Sequence, residues 1–361
     1  MTPSYVQRSG CWFLASGIQE AGGGVARYYR SDIGRNNPVS TEITGYALST
    51  YVYLHALTGE QVYLDRAAHT ARFLAGAAWD DGLDSIPFEY GPSASGSAAM
   101  TFFFDCGIIA RGLLAAWRAT GEEDFLAAAE RCGRAMLRDF AAGAAEFHPI
   151  LTLPAKQPVV RDERWSRSTG CYQLKSAMAW RDLSEATGNA AFDGPYCRML
   201  EEALRTHASF LPGHPDPLKV MDRLHAYSYF LEALLPCAAD ARCAAATREG
   251  IAKVATLLRE IGPQFERSDV YAQLLRARLF ADWNGVLPLD REAAAWEAER
   301  LASFQCESAD PRIDGGFWFG RRGGEWLPYV NPVSAGFGLQ ALAMWEQHLQ
   351  GAPRTFRHML I

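Results

Sequence analysis

The sequence predicts an all-α fold, an (α/α)6 barrel with six inner helices enclosed by six outer helices. Three observations support it. A turn of Thr, Gly and a polar residue recurs at a spacing of roughly 60 residues, which is typical of stacked helical hairpins. Almost wholly apolar helical segments alternate with amphipathic ones. We also find no segment with the strict alternation of a half-buried strand. The turns are Thr58-Gly59-Glu60, Thr120-Gly121-Glu122 and Thr187-Gly188-Asn189.

Six segments are apolar on nearly every side and are predicted as the inner helices, because such helices must be covered all round. They are Tyr46–Leu57, Gly107–Trp117, Tyr172–Leu183, Tyr227–Leu235, Val270–Phe280 and Ala335–Trp345. Six segments with a charged stripe are predicted as the outer helices. They cover about residues 3–17, 61–76, 123–140, 195–210, 240–260 and 290–304.

The two rims of the predicted barrel differ in their connections. Short turns lead from each inner helix to the next outer helix at one rim, and long connections, here called the long returns, lead from each outer helix to the next inner helix at the other. In each short turn, glycine is expected to end the inner helix in the left-handed conformation, and the acid is expected in the first turn of the outer helix. The returns hold most of the non-helical Gly, Pro, Trp and Tyr, so we expect a site there. They cover 18–43, 77–104, 141–168, 211–224, 261–268 and 305–332. We predict one domain over 1–361, with the barrel in about 1–350 and a C-terminal tail over 351–361.

The composition excludes several classes of function. Apolar residues make up 49% of the chain, enough for a large core, and the formal net charge is -6. This charge argues against binding to nucleic acid or to an anionic membrane. The eight cysteines form no CxxC pair, and we expect neither a membrane span nor a secretory leader, and hence a cytoplasmic protein.

No metal or cofactor is predicted. The sequence contains no HExxH, GxxxxGK[ST] or GxGxxG motif. Cys106, Cys171 and His225 lie near predicted inner-helix ends, where a zinc site would need its ligands. The two cysteines, however, fall inside apolar helices, where free Cys behaves as a small hydrophobe.

Several strings resemble a group of bacterial proteins in the six-hairpin glycosidase and terpenoid-cyclase-like toroid superfamily. They are Thr41-Glu42-Ile43-Thr44-Gly45-Tyr46, Phe104-Asp105-Cys106-Gly107, Gly170-Cys171-Tyr172-Gln173-Leu174-Lys175, His225-Ala226-Tyr227-Ser228-Tyr229 and Asn331-Pro332-Val333-Ser334. The match spans nearly the whole chain. It implies the (α/α)6 fold and an association with polysaccharide metabolism. The barrel hosts hydrolases, lyases, epimerases and cyclases, so the resemblance does not fix the reaction.

The N-termini of the inner helices are predicted to meet at the rim with the long returns. Each carries roughly half a positive charge, which favours an oxygen-rich or anionic ligand. The polar residues expected there are Glu42, Asp105, the cluster Arg161-Asp162-Glu163-Arg164, Asp222 with His225, Asp269 and Asn331. The aromatic residues expected to stack on sugar rings are Tyr46, Trp165, Tyr172, Tyr227, Tyr229, Trp318, Trp326 and Tyr329. Together they predict a carbohydrate cleft.

Asp105 and Glu42 are the first-choice catalytic pair, with Asp269 and Glu163 in reserve. Adjacent inner helices lie roughly 8–10 Å apart. Carboxyls at their heads can therefore be separated by about 6.5–9.5 Å, as in inverting glycosidases. A helix N-terminus favours the ionised form, so a general acid there needs an apolar wall. The Phe102–Phe104 run is a candidate wall for Asp105 alone, which makes Asp105 the predicted acid and Glu42 the predicted base or stabiliser.

Each candidate also has a purely structural interpretation. Asp105 is a good helix cap. Thr41, next to Glu42, and Ser268, next to Asp269, are also residues that could cap a helix. Glu163 lies in a cluster that is consistent with solvated ion pairs. His225, as a single histidine, is consistent with a satisfied core residue.

The favoured function is a hydrolase of a uronate-containing or otherwise anionic oligosaccharide, bound by Arg161, Arg164 and the aromatic residues. A lyase or epimerase instead needs a base near an arginine, and Tyr172, His225 and Lys175 keep that alternative open. A third alternative is a noncatalytic carbohydrate-binding or scaffold protein of polysaccharide synthesis. Such a protein would need the arginines and aromatics but not the two carboxylates.

Sugar epimerases on this barrel resemble one another in using paired histidines. His225 with His148 or His214 is the candidate pair that this resemblance implies.

Overall fold

The computed structural model describes residues 4–91, 99–352 and 357–361. Twelve α-helices lie in these ranges: α1 (Tyr5–Ala15), α2 (Thr41–Thr58), α3 (Gln61–Ala75), α4 (Phe103–Thr120), α5 (Glu123–Asp139), α6 (Leu174–Thr187), α7 (Pro195–Thr206), α8 (Pro217–Ala233), α9 (Ala241–Ile261), α10 (Ser268–Trp283), α11 (Arg291–Ala302) and α12 (Pro332–Leu349). Nine short strands accompany them: β1 (Tyr29–Arg30), β2 (Arg35–Asn36), β3 (Met100–Phe102), β4 (Ile150–Thr152), β5 (Gln157–Pro158), β6 (Phe265–Arg267), β7 (Gly320–Arg322), β8 (Glu325–Trp326) and β9 (Tyr329–Val330).

The chain divides into two compact units, which are described separately. Unit A comprises Gln19–Arg27, Asn37–Ala203 and Ile361. In unit A, α4 packs between α2 and α6, while α3 and α5 pack on the outside of α4. Nearly every residue of α4 from Phe103 to Ala116 is buried, whereas α5 buries one face only. Within unit A, the predicted alternation of buried and amphipathic helices is confirmed.

Unit B comprises Met1–Ile18, Tyr28–Asn36 and Leu204–Leu360. In unit B, α10 packs between α8 and α12. Helix α9 covers α8 and α10, α11 covers α10 and α12, and α1 packs on α12. Helix α10 is buried from Ser268 to Ala281, whereas α9 and α11 are exposed along one face. Unit B therefore repeats the same alternation.

Helices α2 and α4 approach each other closely because glycine stands at their contact. A Cβ atom at Gly45 would lie 3.1 Å from the Ile109 Cα, and one at Gly112 would lie 2.7 Å from the Gly45 carbonyl oxygen. Side chains at these positions would force the backbones apart. The two glycines thus fix the packing of the two helices that carry Glu42 and Asp105.

The repeated turns have the predicted glycine geometry. Gly59, Gly121 and Gly188 have φ values of 74°, 74° and 65°, and each donates its N–H to the carbonyl four residues earlier. The prediction for the acids was wrong by one position. Glu60 and Glu122 occupy the N-cap positions of α3 and α5, outside the first turn, and make no side-chain capping bond.

Three small antiparallel sheets correct the expectation of a fold without strands. Their strand orders are β2-β1-β9, β3-β4-β5 and β6-β7-β8. Each strand has two or three residues, too few for an alternating pattern to be recognised in the sequence. Strand β3 leads directly into α4 and β6 directly into α10, so these sheets fix where two buried helices begin.

Most buried helices begin earlier than predicted. Helix α8 begins at Pro217, ten residues before the predicted start at Tyr227. Polar caps explain the difference: Ser40, Asp216 and Asn331 accept backbone N–H groups at the starts of α2, α8 and α12. The first turns of α2 and α8 are too polar to continue the apolar pattern. Helix α6 is the exception, since a 3-10 turn over Cys171–Gln173 precedes its start at Leu174.

Parts of the sequence-based assignment lie outside the described residues. They are residue 3 of the first predicted outer helix, residues 92–98 of the second long return and residues 353–356 of the predicted tail. In the described ranges, none of the helices combines the length and the apolar character that crossing a bilayer requires. The single-domain assignment stays a prediction.

Candidate active site

Two carboxyl groups lie in the first turns of neighbouring buried helices of unit A. Glu42 is the second residue of α2 and Asp105 the third residue of α4. Asp105 is only 4% exposed, and Glu42 is half-buried. Neither caps its helix: Ser40 caps α2, and Phe102 precedes α4 without a side-chain bond. The interpretation of Asp105 as a helix cap was therefore wrong, as was that of Thr41, whose hydroxyl donates to the Pro87 carbonyl at 2.7 Å.

Burial raises the pKa of both carboxyl groups of this pair, and the charge of Glu42 adds to the effect at Asp105. Burial raises the pKa of Asp105 well above its ordinary value, and the charge of Glu42 raises it further, against an opposing effect of Arg27. Burial raises the pKa of Glu42 to about 7, again against Arg27. Within the described protein, the buried Asp105 Oδ2 has no hydrogen-bond partner. Burial and the Glu42 charge thus favour the protonated form of Asp105, beside a carboxyl group whose pKa is about 7.

Arg27 supplies positive charge near the pair and was not predicted. Its backbone N–H donates to the Pro38 carbonyl at 3.0 Å. Its guanidinium lies 3.9 Å from the Glu89 carboxylate and 5.0 Å from the centre of the Phe88 ring. The side chain is 44% exposed, which leaves it accessible to a ligand. A lone arginine after a glycine-rich stretch in the return to α2 was the only sequence signal.

The aromatic run before Asp105 packs in more than one direction. The Phe103 ring lies in the core of unit A, with its centre 5.1 Å from that of Phe147 and 5.6 Å from that of Trp180. The Phe102 ring instead packs 4.9 Å from Phe88. Phe103 is buried, as is Asp105 two residues later, whereas Phe102 is half-buried. A direct wall of rings against its carboxyl group stays a prediction.

A second polar cluster lies in unit B at the start of α10. Asp269 is the second residue of α10 and is 2% exposed. Arg267 donates to both of its oxygens, at 3.0 and 2.6 Å, and to Asp222 Oδ1 at 2.7 Å. The His225 Nδ1 lies 2.8 Å from Gln273 Oε1 and 3.4 Å from Asp269 Oδ2. The cluster thus combines a carboxylate whose two oxygens are both bound by Arg267 with a histidine.

The charges in this cluster fix the tautomer of His225. Burial alone would raise the pKa of Asp269, but Arg267 and His225 outweigh burial and hold it below its ordinary value. Burial lowers the pKa of His225 to about 4, against the opposing charge of Asp269. Both groups facing Nδ1, including the amide oxygen of Gln273, are acceptors, so Nδ1 carries the proton of the neutral ring. Its Nε2 therefore holds a lone pair.

Two sequence expectations for unit B were wrong. His225 does not open its helix but lies in the third turn of α8. Ser268 does not cap α10: the N-cap position is held by Arg267, and the Ser268 hydroxyl donates to the Trp318 and Phe319 carbonyls. The interpretation of His225 as a buried, hydrogen-bonded residue fits its 8% exposure.

The predicted cluster in the third long return lies in unit A and is exposed. Arg161 donates to Glu146 at 2.5 Å. Arg164 donates to Asp162 through its side chain and its backbone, and these bonds lower the pKa of Asp162 to about 2. Such contacts are those of the solvated ion pairs considered from the sequence. Glu163 belongs to the same exposed segment, and its catalytic role stays a prediction.

The other predicted ligands of unit A are mostly buried. The Tyr172 hydroxyl donates to the Ser168 carbonyl at 2.9 Å, and burial raises its pKa. Trp165 packs edge-on to Tyr172 at 5.0 Å. Lys175 is fully buried and donates to the Ile361 carbonyl oxygen at 3.3 Å. Tyr172 and Lys175 are therefore engaged within the protein and are poorly placed to act as bases. Tyr46 is 2% exposed.

The predicted ligands of unit B differ in exposure. Trp318 and Trp326 stack with centres 6.2 Å apart, and Trp326 is 40% exposed. Tyr229 is buried, edge-on to His225 at 4.5 Å. Asn331 caps α12 through its side-chain oxygen. Of these residues, the tryptophan pair is the best placed to stack on a sugar.

The histidines considered as partners of His225 lie in other surroundings. His214 is in the turn before α8, where its Nδ1 accepts the Asp216 N–H at 2.9 Å. His148 belongs to unit A, where its N–H donates to the Phe140 carbonyl. The paired-histidine site around His225 stays a prediction.

The alternating buried and amphipathic helices define an all-α fold of helical hairpins, and comparison with solved structures agrees. No family model and no curated protein matches the chain. A sugar epimerase from a ruminal bacterium is 12% identical, with a TM-score of 0.69 over 91% of this chain and 95% of that chain. The cellobiose 2-epimerase from Spirochaeta thermophila is 14% identical, with a TM-score of 0.70 over 92% of this chain and 94% of that chain.

An α-1,6-mannanase from Salegentibacter sp. is 11% identical, with a TM-score of 0.60 over 94% of this chain and 99% of that chain. All three are carbohydrate-active enzymes with the (α/α)6 fold. Because the identities are low, the likeness shows the fold alone. The predicted (α/α)6 fold is confirmed.

Proposed function

We propose that the protein is a carbohydrate-processing enzyme, and specifically a glycoside hydrolase in which Asp105 is the general acid and Glu42 the general base. One observation carries the proposal: two carboxyl groups in the first turns of adjacent buried helices have raised pKa values, and one is raised partly by the other. Titratable groups perturbed in this way are typical of active sites. The epimerase and mannanase structures on the same fold support a saccharide as the substrate.

The reaction assigns one proton transfer to each carboxyl group. Asp105, protonated at neutral pH, gives its proton to the glycosidic oxygen as the bond from that oxygen to the anomeric carbon breaks. The Glu42 carboxylate takes a proton from the water that attacks the anomeric carbon. The products are two hydroxyl-bearing sugars. Asp105 is left ionised and Glu42 protonated, and exchange with solvent restores both.

Arg27 supports an anionic substrate. Its guanidinium lowers the pKa of both carboxyl groups. Its positive charge therefore acts electrostatically on the two groups that are proposed to cleave the bond. The side chain is 44% exposed, and guanidinium groups bind carboxylates through two parallel hydrogen bonds. A uronate-containing oligosaccharide would place its carboxylate on Arg27.

The test is incubation of the purified protein with uronate-containing and neutral oligosaccharides, followed by mass spectrometry and ultraviolet absorbance. Hydrolysis adds one water across the cleaved bond without new absorbance. Asp105→Asn and Glu42→Gln should each lower the rate by about 10²–10⁴-fold, while the control Glu60→Gln, at an exposed N-cap, should not. Unsaturated products would indicate a lyase. Sugar binding without turnover, unchanged in both variants, would indicate a scaffold.

A second candidate function rests on a different observation in unit B. Because both neighbours of His225 Nδ1 are acceptors, Nε2 is set up as a base that can remove a proton from a sugar carbon, as an epimerase or isomerase requires. The test is exchange of a sugar C–H proton in deuterated solvent, followed by NMR. His225→Gln would abolish the exchange and Asp105→Asn would leave it intact if this candidate is correct.

A further inference from the structure

A pocket in unit B lies on the face of strand β6 that carries the Glu266 side chain, and three arginines line it. It encloses about 440 Å³, within the range of small-molecule sites. Its wall is formed by the end of α9, the start of α10, helix α11 and the hairpin of β7 and β8. The charged and aromatic side chains in the wall are Arg259, Glu266, Tyr271, Trp296, Arg300 and Arg321.

Strand β6 separates this pocket from the Arg267 cluster. Side chains of consecutive strand residues point to opposite faces. Glu266 accordingly contacts Arg300, Arg321 and Tyr271, while its neighbour Arg267 contacts Asp269. The pocket is therefore distinct from the polar cluster already described in this unit.

The pocket carries more positive than negative charge. Arg300 donates to Glu266 Oε1 at 2.6 Å, Arg321 donates to Oε2, and the Tyr271 hydroxyl donates to Oε1 at 2.7 Å. Against the opposing effect of burial, these bonds hold the pKa of Glu266 below its ordinary value, so it is ionised. One carboxylate thus faces three guanidinium groups, in a chain whose formal net charge is -6.

Arg259 is placed differently from the other two arginines of the pocket. It is exposed, and its guanidinium lies 4.9 Å from the centre of the half-buried Trp296 ring. Stacking on an aromatic ring leaves the N–H groups at the guanidinium edge able to bind an oxyanion. Together, Arg259 and Trp296 present a charged edge and an apolar surface to the same pocket.

We propose that this pocket binds a sugar residue carrying an oxyanion, a carboxylate or a phosphate, with Arg259 and Arg321 holding the anion and Trp296 packing against the ring. The site needs neither Asp105 nor Glu42 and goes beyond the proposed hydrolysis. It would hold an acidic residue of a saccharide without cleaving it. Positive potential in a concave site raises the local concentration of such an anion.

The experiment is isothermal titration calorimetry on the full-length double variant Asp105→Asn, Arg27→Gln, so that the outcome depends neither on turnover nor on an anion held at Arg27. The probes are glucuronate, glucose 6-phosphate and glucose. Either anion should bind more tightly than glucose, and its affinity should fall with added salt. Glucuronate and glucose 6-phosphate together show which oxyanion the pocket prefers.

The added substitution Arg259→Gln should weaken anion binding by about tenfold or more, since hydrogen bonds to charged groups are the stronger ones. Arg291→Gln, at an exposed arginine at the start of α11, is the matched control and should leave binding unchanged. Equal affinity for glucose and the two anions would overturn the proposal. So would anion binding that survives Arg259→Gln, or the absence of binding at millimolar concentrations in both anion titrations.

Discussion

Asp105 in unit A and Asp269 in unit B occupy similar places, in the first turn of a buried helix preceded by a short strand, yet they are driven to opposite protonation states. Burial and the Glu42 charge raise the pKa of Asp105, whereas Arg267 overcomes burial and lowers the pKa of Asp269. A helix N-terminus favours the ionised form of both, by about 0.3–1 kcal/mol. The neighbouring charge, and not the helix, therefore decides which acid keeps its proton.

This difference separates the two clusters chemically. In unit A, the protonated form of Asp105 is favoured beside a second carboxyl group with a pKa of about 7. Unit B holds a carboxylate that cannot readily accept a proton, beside a histidine that remains neutral. Proton donation is therefore expected from unit A, and proton removal by a base other than a carboxylate from unit B.

The largest expected effect comes from removing the ion pair between Arg267 and Asp269. We expect Arg267→Met to lower the free energy of unfolding by about 3–5 kcal/mol at neutral pH, because a buried carboxylate loses its partner. The pKa of Asp269 should then rise, so the loss should shrink as the pH falls and the acid takes up a proton. Urea unfolding across pH measures this. Arg291→Met, at an exposed arginine, is the control with little effect, and a loss that does not vary with pH would contradict the prediction.

The histidine of unit B gives the next largest effect. Its pKa is about 4 in the folded protein, below the ordinary 6.5, so the folded state binds fewer protons than the unfolded state between these values. The contribution to stability should therefore be lost as the pH falls through this window, by up to about 3 kcal/mol.

The measurement is the pH dependence of unfolding in the wild type and in His225→Gln. The variant should show a shallower loss of stability between about pH 6.5 and 4. NMR titration of the His225 ring checks the assignment. A ring that titrates near its ordinary value would contradict the prediction.

Removal of the second carboxyl group of unit A should stabilise the protein. The pKa of Glu42 is raised from 4.5 to about 7, so the folded state binds more protons than the unfolded state in that window, and wild-type stability falls as the pH rises through it. Glu42→Gln removes this penalty. Because Glu42 is half-buried and partly screened, we expect a gain of about 1–3 kcal/mol at pH 8 and almost none at pH 4.

Thermal unfolding of Glu42→Gln and of the control Glu60→Gln at both pH values would show this gain. The same substitution should lower the rate of hydrolysis by about 10²–10⁴-fold, so that one change separates stability from activity. A variant that is less stable at alkaline pH would show that Glu42 is held by favourable contacts instead.

The smallest predicted effect is a shift in the pH dependence of hydrolysis when Arg27 is replaced. The rate of hydrolysis should rise with pH around pH 7 as Glu42 ionises. In Arg27→Gln, the charge that lowers the pKa of Glu42 is absent, so this rise should move to higher pH, by about a few tenths of a unit for an exposed charge. Arg72→Gln, at an exposed residue of α3, is the control. A shift to lower pH would contradict the assignment.

Local rules predicted most of the fold. The glycines of the repeated turns have a backbone conformation that other residues rarely adopt, so Gly59 and Gly121 marked two helix ends correctly. Beginnings were harder to predict. Helix α8 begins with Pro217 after the Asp216 cap, but its charged first turns hid it from a search for apolar periodicity.

The candidate site was only partly predictable. Glu42 and Asp105 could be found because each precedes an apolar helix, and the packing of α2 against α4 brings their charges together. Arg267, by contrast, lies in the three-residue strand β6 and contacts Asp222, 45 residues away in the chain. No local sequence pattern shows that an arginine will form an ion pair with Asp269 but not with Asp105. Such pairing depends on contacts between distant parts of the chain.

The register of strand β6 sorts opposite charges onto its two faces. Glu266 pairs with Arg321 across the sheet, and Arg267 with Gly320, where a Cβ atom would collide with the Glu266 carbonyl oxygen. A slip by one residue would exchange the faces of Glu266 and Arg267. A carboxylate would then face Asp269, and a guanidinium would face Arg300 and Arg321. Misalignment would thus be penalised by like-charge repulsion on both sides of one short strand.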